Sequence, residues 1–304
     1  SQKIGMGLGF YREFEEARDI YHEVDETLKF KLSHLIFNGD QRELSLTINA
    51  QPALMVTSMA ILRVIEKLTS KKVNSLSKFV CGHSLGEFTA LCAAGVISLH
   101  ETARLLQIRG KSMQNAVPEG KGAMAALLSS DFSKLNLLLN EVSKIGLCQI
   151  ANDNSNEQKV VSGEKHAVEK LVKISSNFNI KKSIMLNVSA PFHCNLMSPA
   201  QASLEEALEN VNFSKPLLPI ICNYTAQIEE NPKKLKRNII NQVTSMVRWR
   251  ETMEVICQNK INEIVEVGAG KVLTGISKRF SSKIDCYNVE TEVNLEDYIS
   301  KLGD

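Results

Sequence analysis

The chain has 304 residues, 43% apolar and 23% charged, with a formal net charge of +2. That length suits a large domain carrying a smaller one, and the near-neutral balance gives no reason to expect a nucleic-acid partner. No run of 18 uninterrupted apolar residues suggests a membrane span, and seven scattered cysteines without a Cys-x-x-Cys pair offer neither a zinc site nor a disulfide framework.

Residues 11–37 carry Phe14, Ala17, Ile20, Tyr21, Val24 and Leu28 near helical spacing and predict an amphipathic helix. Residues 51–68 predict a second helix, with Pro52 in its first turn, where a missing N–H is tolerated. Residues 78–81 predict a short buried strand ended by Gly82. Residues 85–94 and 101–115 predict helices, the latter stopping before Pro118 and Gly120. The pattern then changes. Strand 123–128, helix 133–144, strands 148–151 and 159–162, helix 166–176 and strand 181–186 follow in the β-α-β-β-α-β order of a ferredoxin-like module. Residues 121–187 are therefore expected to form a small domain inserted into a larger one built from 1–120 and 188–304. The larger domain resumes with helix 198–210, strand 218–223, helix 235–242, strand 264–267 and, past Gly268-Ala269-Gly270, helix 272–280. Alternating strands and helices imply an α/β fold with a mainly parallel sheet and helices on both faces.

Gly82-His83-Ser84-Leu85-Gly86 fits Gly-x-Ser-x-Gly between a predicted strand and a predicted helix. The two glycines allow a tight turn that thrusts Ser84 Oγ outward. The turn aims the backbone N–H of Leu85 at an oxyanion forming beside Ser84, at the positive end of the following helix. A serine hydroxyl needs a base. Of the six histidines, His22, His34 and His166 lie on surface-like helices, His100 sits near a helix start, and His83 is expected to pack under the turn. His193, in a loop just after the inserted module, is the candidate base. The pattern alone also fits a serine thioesterase or esterase, although no acid residue obviously completes a Ser–Asp–His order. A non-enzymatic carrier-binding subunit is a third possibility.

The sequence resembles the malonyl-CoA:acyl-carrier-protein transacylases of fatty-acid synthesis along nearly its whole length. Gln51-Pro52-Ala53-Leu54 is similar to the family's helix start, and Gly82 to Phe88 to its nucleophile motif. Ile108 to Gln114 resembles its arginine helix, Ala151 to Ser155 its Asn-containing loop, Ala190-Pro191-Phe192-His193 its base motif, and Glu266 to Leu273 its late strand–turn–helix. The resemblance implies an α/β-hydrolase-like large domain plus a ferredoxin-like small one. It implies Ser84 as nucleophile, His193 as base, Arg109 as the group that binds the malonyl carboxylate, and Gln242 as the residue whose backbone carbonyl orients the histidine. Gln51, Phe192 and Asn154 are implied pocket residues, and the bulk of Phe192 favours malonyl over methylmalonyl. Substrates would be malonyl-CoA, a coenzyme A thioester, and a phosphopantetheinylated acyl carrier protein, with no cofactor, metal or membrane. Since such carriers are acidic, docking calls for a basic patch; Lys233, Lys234, Lys236 and Arg237 form one run, Lys181 and Lys182 another. A monomer is expected. A cytoplasmic location suits the free cysteines; an organelle reached by a removed import peptide is the alternative. The family's opening strand and Gly-Gln-Gly-Ser-Gln are represented only by their last two residues, Ser1-Gln2. An incomplete N-terminus is therefore expected, with the glutamine that supplies a second oxyanion N–H lying before it.

Overall fold

The structure, a computed structural model, describes residues 2–188 and 190–303, with the backbone alone at 303. Ser1 of the opening motif and Ser189 of the loop before His193 lie outside the described residues.

The N-terminal stretch is helical but broken. Helices Leu8–Glu13, Glu15–Leu28 and Leu32–Asn38 replace the single expected helix. Phe14 adopts extended backbone and Lys29 the left-handed region, so the chain turns twice while the apolar spacing runs on. Apolar periodicity records which face is buried, whereas breaks are set by what each segment packs against. Helix Thr47–Thr69 begins one turn earlier than expected, which puts Pro52 in its second turn. It is long and apolar enough to cross a membrane, but 67% of its apolar window is buried inside the protein, as befits a central core helix.

Among the described residues eight strands follow in chain order: β1 (Gly122–Leu128), β2 (Cys148–Asp153), β3 (Gln158–Glu164), β4 (Lys182–Met185), β5 (Ile220–Ile221), β6 (Ile228–Glu229), β7 (Glu263–Val267) and β8 (Asp285–Val289). The first four form one antiparallel sheet in the order β2-β3-β1-β4. Residues of β1 alternate between its faces. Ala123, Ala125 and Leu127 join a core with helices Leu135–Ser143 and Lys165–Ile174. Met124 and Ala126 face the other way, with Ala151 and Val160, and Phe192 packs onto that cluster. Two backbone bonds dock this sheet on the rest of the protein: Val247 N–H donates to Ala151 O (2.8 Å) and Asp153 N–H to Val247 O (2.9 Å). Asp153, buried, pairs with Arg250 (2.9 Å) and with Lys159.

The expected continuous parallel sheet is less regular than the alternating pattern suggested. Among the described residues it consists of the parallel pair β7–β8, the short antiparallel pair β5–β6, and one parallel bridge from Val80 to Ile220. Residues 78–81, expected as a strand, pair only through Val80: its N–H donates to Pro219 O and its carbonyl accepts from Ile221 N–H. On their other side a cavity of about 830 Å³, lined by Phe79 to Gly82 and by Ile264 to Gly268, lies between them and β7. Strand β8 and the closing helix Glu292–Gly303 had no expectation attached. The helix Trp249–Gln258 is likewise additional; it buries Trp249, Thr252, Met253 and Ile256.

Candidate active site

Ser84 stands at the N-terminus of helix Leu85–Ala93 with φ 55° and ψ −112°. This is strained backbone for a residue with a side chain, at a cost of about 1–3 kcal/mol. The turn closes because Gly82 has no side chain: a Cβ there would lie 2.1 Å from the backbone of Gly86. Gly86 itself faces open space, so only the first of the two glycines is sterically demanded. Gly86 N–H donates to His83 O (3.0 Å) within the turn, and four further hydrogen bonds hold it. Ser84 N–H donates to Asn223 Oδ1 (2.7 Å), and Asn223 Nδ2 donates to Gly82 O (2.8 Å). Ser84 O accepts from Glu87 N–H (3.0 Å) and from Gln242 Nε2 (3.0 Å).

His193, held with φ 57°, places Nε2 2.7 Å from Ser84 Oγ. Its Nδ1 lies 2.9 Å from the carbonyl of Gln242. A carbonyl only accepts, so the network assigns the hydrogen to Nδ1 and leaves Nε2 free to take a proton from Ser84. That carbonyl is available because Gln242 ends helix Pro232–Gln242, and the last carbonyls of a helix have no intrahelical donor. Burial, and then the Arg109 cation, push the imidazole down to about 3, while the bond to Gln242 opposes them. The ring is therefore neutral, the form a general base requires.

Arg109 is buried at 1% exposure on helix Leu99–Asn115. Its Nη1 donates to Gln51 Oε1 (2.6 Å); its Nη2 donates to Gln242 Oε1 (3.0 Å) and to Ser84 Oγ (3.1 Å). Gly110 lets the two helices meet this closely, since a Cβ there would sit 2.5 Å from Thr47 O. Gln51 Nε2 donates to Thr47 Oγ1 (2.9 Å), which turns Oε1 toward the guanidinium. Each of these partners is neutral. The carboxyl that most affects Arg109 is Glu87, and burial raises Glu87 to about 7. Burial likewise pushes Arg109 down to about 10, with Glu87 opposing. A desolvated cation with only neutral acceptors, touching the nucleophile, is a site for an incoming anion.

The fold thus brings Ser84, His193, Arg109, Gln242 and Gln51 together from five separate segments. Leu85 opens its helix, so its N–H is among those with no intrahelical acceptor. Asn154 lies beside the turn, its Oδ1 3.0 Å from His83 Nε2, and His83 packs against Trp249 with ring centroids 5.5 Å apart. His83 is therefore occupied away from the hydroxyl, as expected, and burial lowers its pKa. Phe192 is half-buried next to His193. In the basic run, Lys234 pairs with Glu229 and Lys236 donates to Val211 O, whereas Lys233, Arg237, Lys181 and Lys182 are exposed. Among the described residues no group of three or more His, Cys, Asp or Glu side chains could hold a metal. The cavity beside β7 reaches Ser84 but is lined by neither Arg109 nor His193.

Three contributors escaped the sequence reading. Asn223 clamps the turn from 139 residues away, with no signal in a stretch read as apolar strand. Glu87 lies within the nucleophile motif, and its charge on an otherwise apolar helix was the available hint. The side chain of Gln242 touches Arg109, in addition to the backbone role expected of it.

The family model described as "Acyl transferase domain" matches residues 1–293. The malonyl CoA-acyl carrier protein transacylase of Bacillus subtilis (strain 168) is 39% identical over 303 residues, covering 99% of this chain and 94% of the relative. The crystal structure of the acyl-carrier-protein-S-malonyltransferase from Bartonella henselae superposes with a TM-score of 0.96 at 47% identity, covering 100% of this chain and 96% of that one. A structure of a type II PKS acyl-carrier protein in complex with its malonyl-transacylase matches with a TM-score of 0.94 at 34% identity, covering 99% and 95%.

Proposed function

The chain belongs to the acyl transferase domain family, and we propose that it moves a malonyl group from malonyl-CoA to the phosphopantetheine thiol of an acyl carrier protein, for fatty-acid synthesis. The observation that carries this reading is the placement of Ser84 Oγ, 2.7 Å from a neutral imidazole and 3.1 Å from a buried guanidinium.

The reaction is ping-pong. His193 Nε2 takes the hydroxyl proton as Ser84 Oγ attacks the thioester carbon. Leu85 N–H donates to the resulting oxyanion, helped by the positive end of its helix. The tetrahedral intermediate collapses, the C–S bond breaks, and the departing CoA sulfur takes the proton from His193. A malonyl ester remains on Ser84. The carrier's thiol then gives its proton to His193 and attacks that ester, and Ser84 leaves with the proton.

The malonyl carboxylate lies two carbon–carbon bonds from the ester carbon. A guanidinium already touching the hydroxyl is within its reach and can offer two parallel bonds. The carboxylate replaces Ser84 Oγ and supplies the negative charge that Gln51 and Gln242 do not. Gln51 holds the far side of Arg109, Phe192 limits bulk beside His193, and Asn154 steadies His83. We also assign residues 121–187 as a ferredoxin-like domain and residues 1–120 with 188–304 as an α/β-hydrolase-like domain. The β2-β3-β1-β4 order and the separate core of Ala125, Leu127, Leu138 and Leu171 support that division.

The test is incubation with malonyl-CoA and then carrier protein, with intact-mass analysis of both and assay of free malonate. A malonyl adduct on Ser84 that is lost in Ser84→Ala and passes to the carrier is expected. Release chiefly as free malonate would make the chain a hydrolase and overturn the proposal.

A further inference from the structure

We infer that Glu87 is a positioning residue for the acid-binding site, acting through the side-chain amide of Gln242. The inference rests on the malonyl-transfer reading above.

Glu87 is fully buried on the helix that begins at Leu85. Its Oε2 accepts from Asn223 N–H (3.0 Å) and from Gln242 Nε2 (2.7 Å). Gln242 Nε2 also faces Ser84 O (3.0 Å) and Asn223 Oδ1 (3.3 Å), while Gln242 Oε1 accepts from Arg109 Nη2 (3.0 Å). The amide therefore has one permitted orientation. Rotated by half a turn, its oxygen would meet three acceptors and its NH2 would meet a guanidinium that has only donors. The Glu87 contact is the shortest of the bonds to this NH2 group. Gln242 Oε1 and Gln51 Oε1 then hold Arg109 from two sides with its Nη2 at Ser84.

Glu87 touches neither Ser84 Oγ nor His193, and it needs no charge for this task. Its protonated form keeps Oε2 as an acceptor, in keeping with the pKa that burial raises to about 7. Gln in its place offers the same acceptor in the same shape. Ala offers none, which removes the shortest of the contacts that fix the amide and loosens the Gln242 side of the support for Arg109, with Gln51 still holding the other side.

The experiment compares wild type, Glu87→Gln, Glu87→Asp and Glu87→Ala, each checked for folding by circular dichroism melting. Two readings are taken on each. One is the rate of Ser84 malonylation by malonyl-CoA, followed by intact mass. The other is the rate of Ser84 labelling by phenylmethanesulfonyl fluoride, a neutral reagent with no carboxylate for Arg109. Glu87→Ala is expected to lower malonylation kcat/KM by about 10- to 100-fold, from loss of the two buried hydrogen bonds that Oε2 accepts. The loss should fall mainly on KM, with sulfonyl labelling within about threefold of wild type. Glu87→Gln should keep malonylation within about threefold. Should Glu87→Ala not fold, Glu87→Asp, whose shorter stem withdraws the acceptor, takes its place with the same expectation.

Malonylation and sulfonyl labelling falling in step would assign Glu87 to general upkeep of the turn and overturn the inference. So would a folded Glu87→Ala with malonylation unchanged, or a folded Glu87→Gln that loses more than tenfold. Wild type that is sulfonylated on Ser84 but never malonylated would instead sink the functional reading on which the inference rests.

Discussion

Replacing Arg109 by Met should separate stability from activity. The guanidinium is buried without a carboxylate in hydrogen-bond contact, and burial pushes it well below its ordinary value, to about 10. At about 1.4 kcal/mol per unit, the fold carries a net cost of roughly 3 kcal/mol at this side chain after the opposing effect of Glu87. Met fills a similar volume without that penalty. It also strips donors from Gln51 Oε1 and Gln242 Oε1, both buried, at about 1–3 kcal/mol each. The terms nearly offset, so unfolding free energy should move by no more than about 3 kcal/mol. Malonyl transfer should not be spared. Loss of one partner of a buried charge pair costs about 3–5 kcal/mol, or a fall of about 150- to 5000-fold in kcat/KM. Acetyl-CoA has no carboxylate to lose, so the acetyl-to-malonyl ratio of acylation rates should rise by about the same factor. The assay is thermal melting together with single-turnover acylation by each thioester. A ratio that stays constant while both rates fall would refute the reasoning, because Arg109 would then serve the hydroxyl and not the carboxylate.

Other expectations follow from the same geometry. Because His193 is pushed down to about 3, kcat/KM should show no acid limb near 6.5; a limb there assigned to His193 by NMR titration would contradict its burial. The linkage has a definite sign: the unfolded histidine takes a proton below 6.5 while the folded one does not. Its contribution to stability is therefore full above 6.5 and declines as pH falls from 6.5 toward 3, measurable as a His193-dependent slope in denaturation midpoints against pH. Asn223→Ala removes the acceptor for Ser84 N–H and the donor to Gly82 O; it should lose about 2–4 kcal/mol of stability and at least tenfold in kcat, read by urea unfolding and single-turnover rates. Gly82→Ala drives a Cβ to 2.1 Å from the backbone of Gly86 and should abolish Ser84 labelling by a sulfonyl fluoride, whereas Gly86→Ala, which meets nothing within 4 Å, should be labelled.

How much of this was legible depends on distance along the chain. The turn at Ser84 was readable because its causes lie within five residues: a glycine where a side chain would collide, and a helix that starts immediately after the serine. The four strands and two helices of residues 122–185 were readable because period-2 and period-3.6 patterns mark faces that one compact layer buries. Strand ends were not, since a strand stops where its neighbour does; hence residues 218–223 shrink to the pair Ile220–Ile221. The breaks at Phe14 and Lys29 were invisible for a similar reason, because the helices on either side bury the same face.

The site divides along the same line. Local chemistry in the sequence pointed to Ser84 on a tight turn as the candidate nucleophile, and the resemblance pointed to His193, Arg109 and Gln242. Only the tertiary structure decided that Asn223 clamps the turn, that Glu87 sets one orientation of the Gln242 amide, and that Arg109 rests on oxygens without a negative charge. Those contacts join residues 25 to 155 positions apart. An amide, a carboxyl or a guanidinium takes its role from which donors and acceptors surround it once water is excluded, and no local pattern in the chain encodes those surroundings.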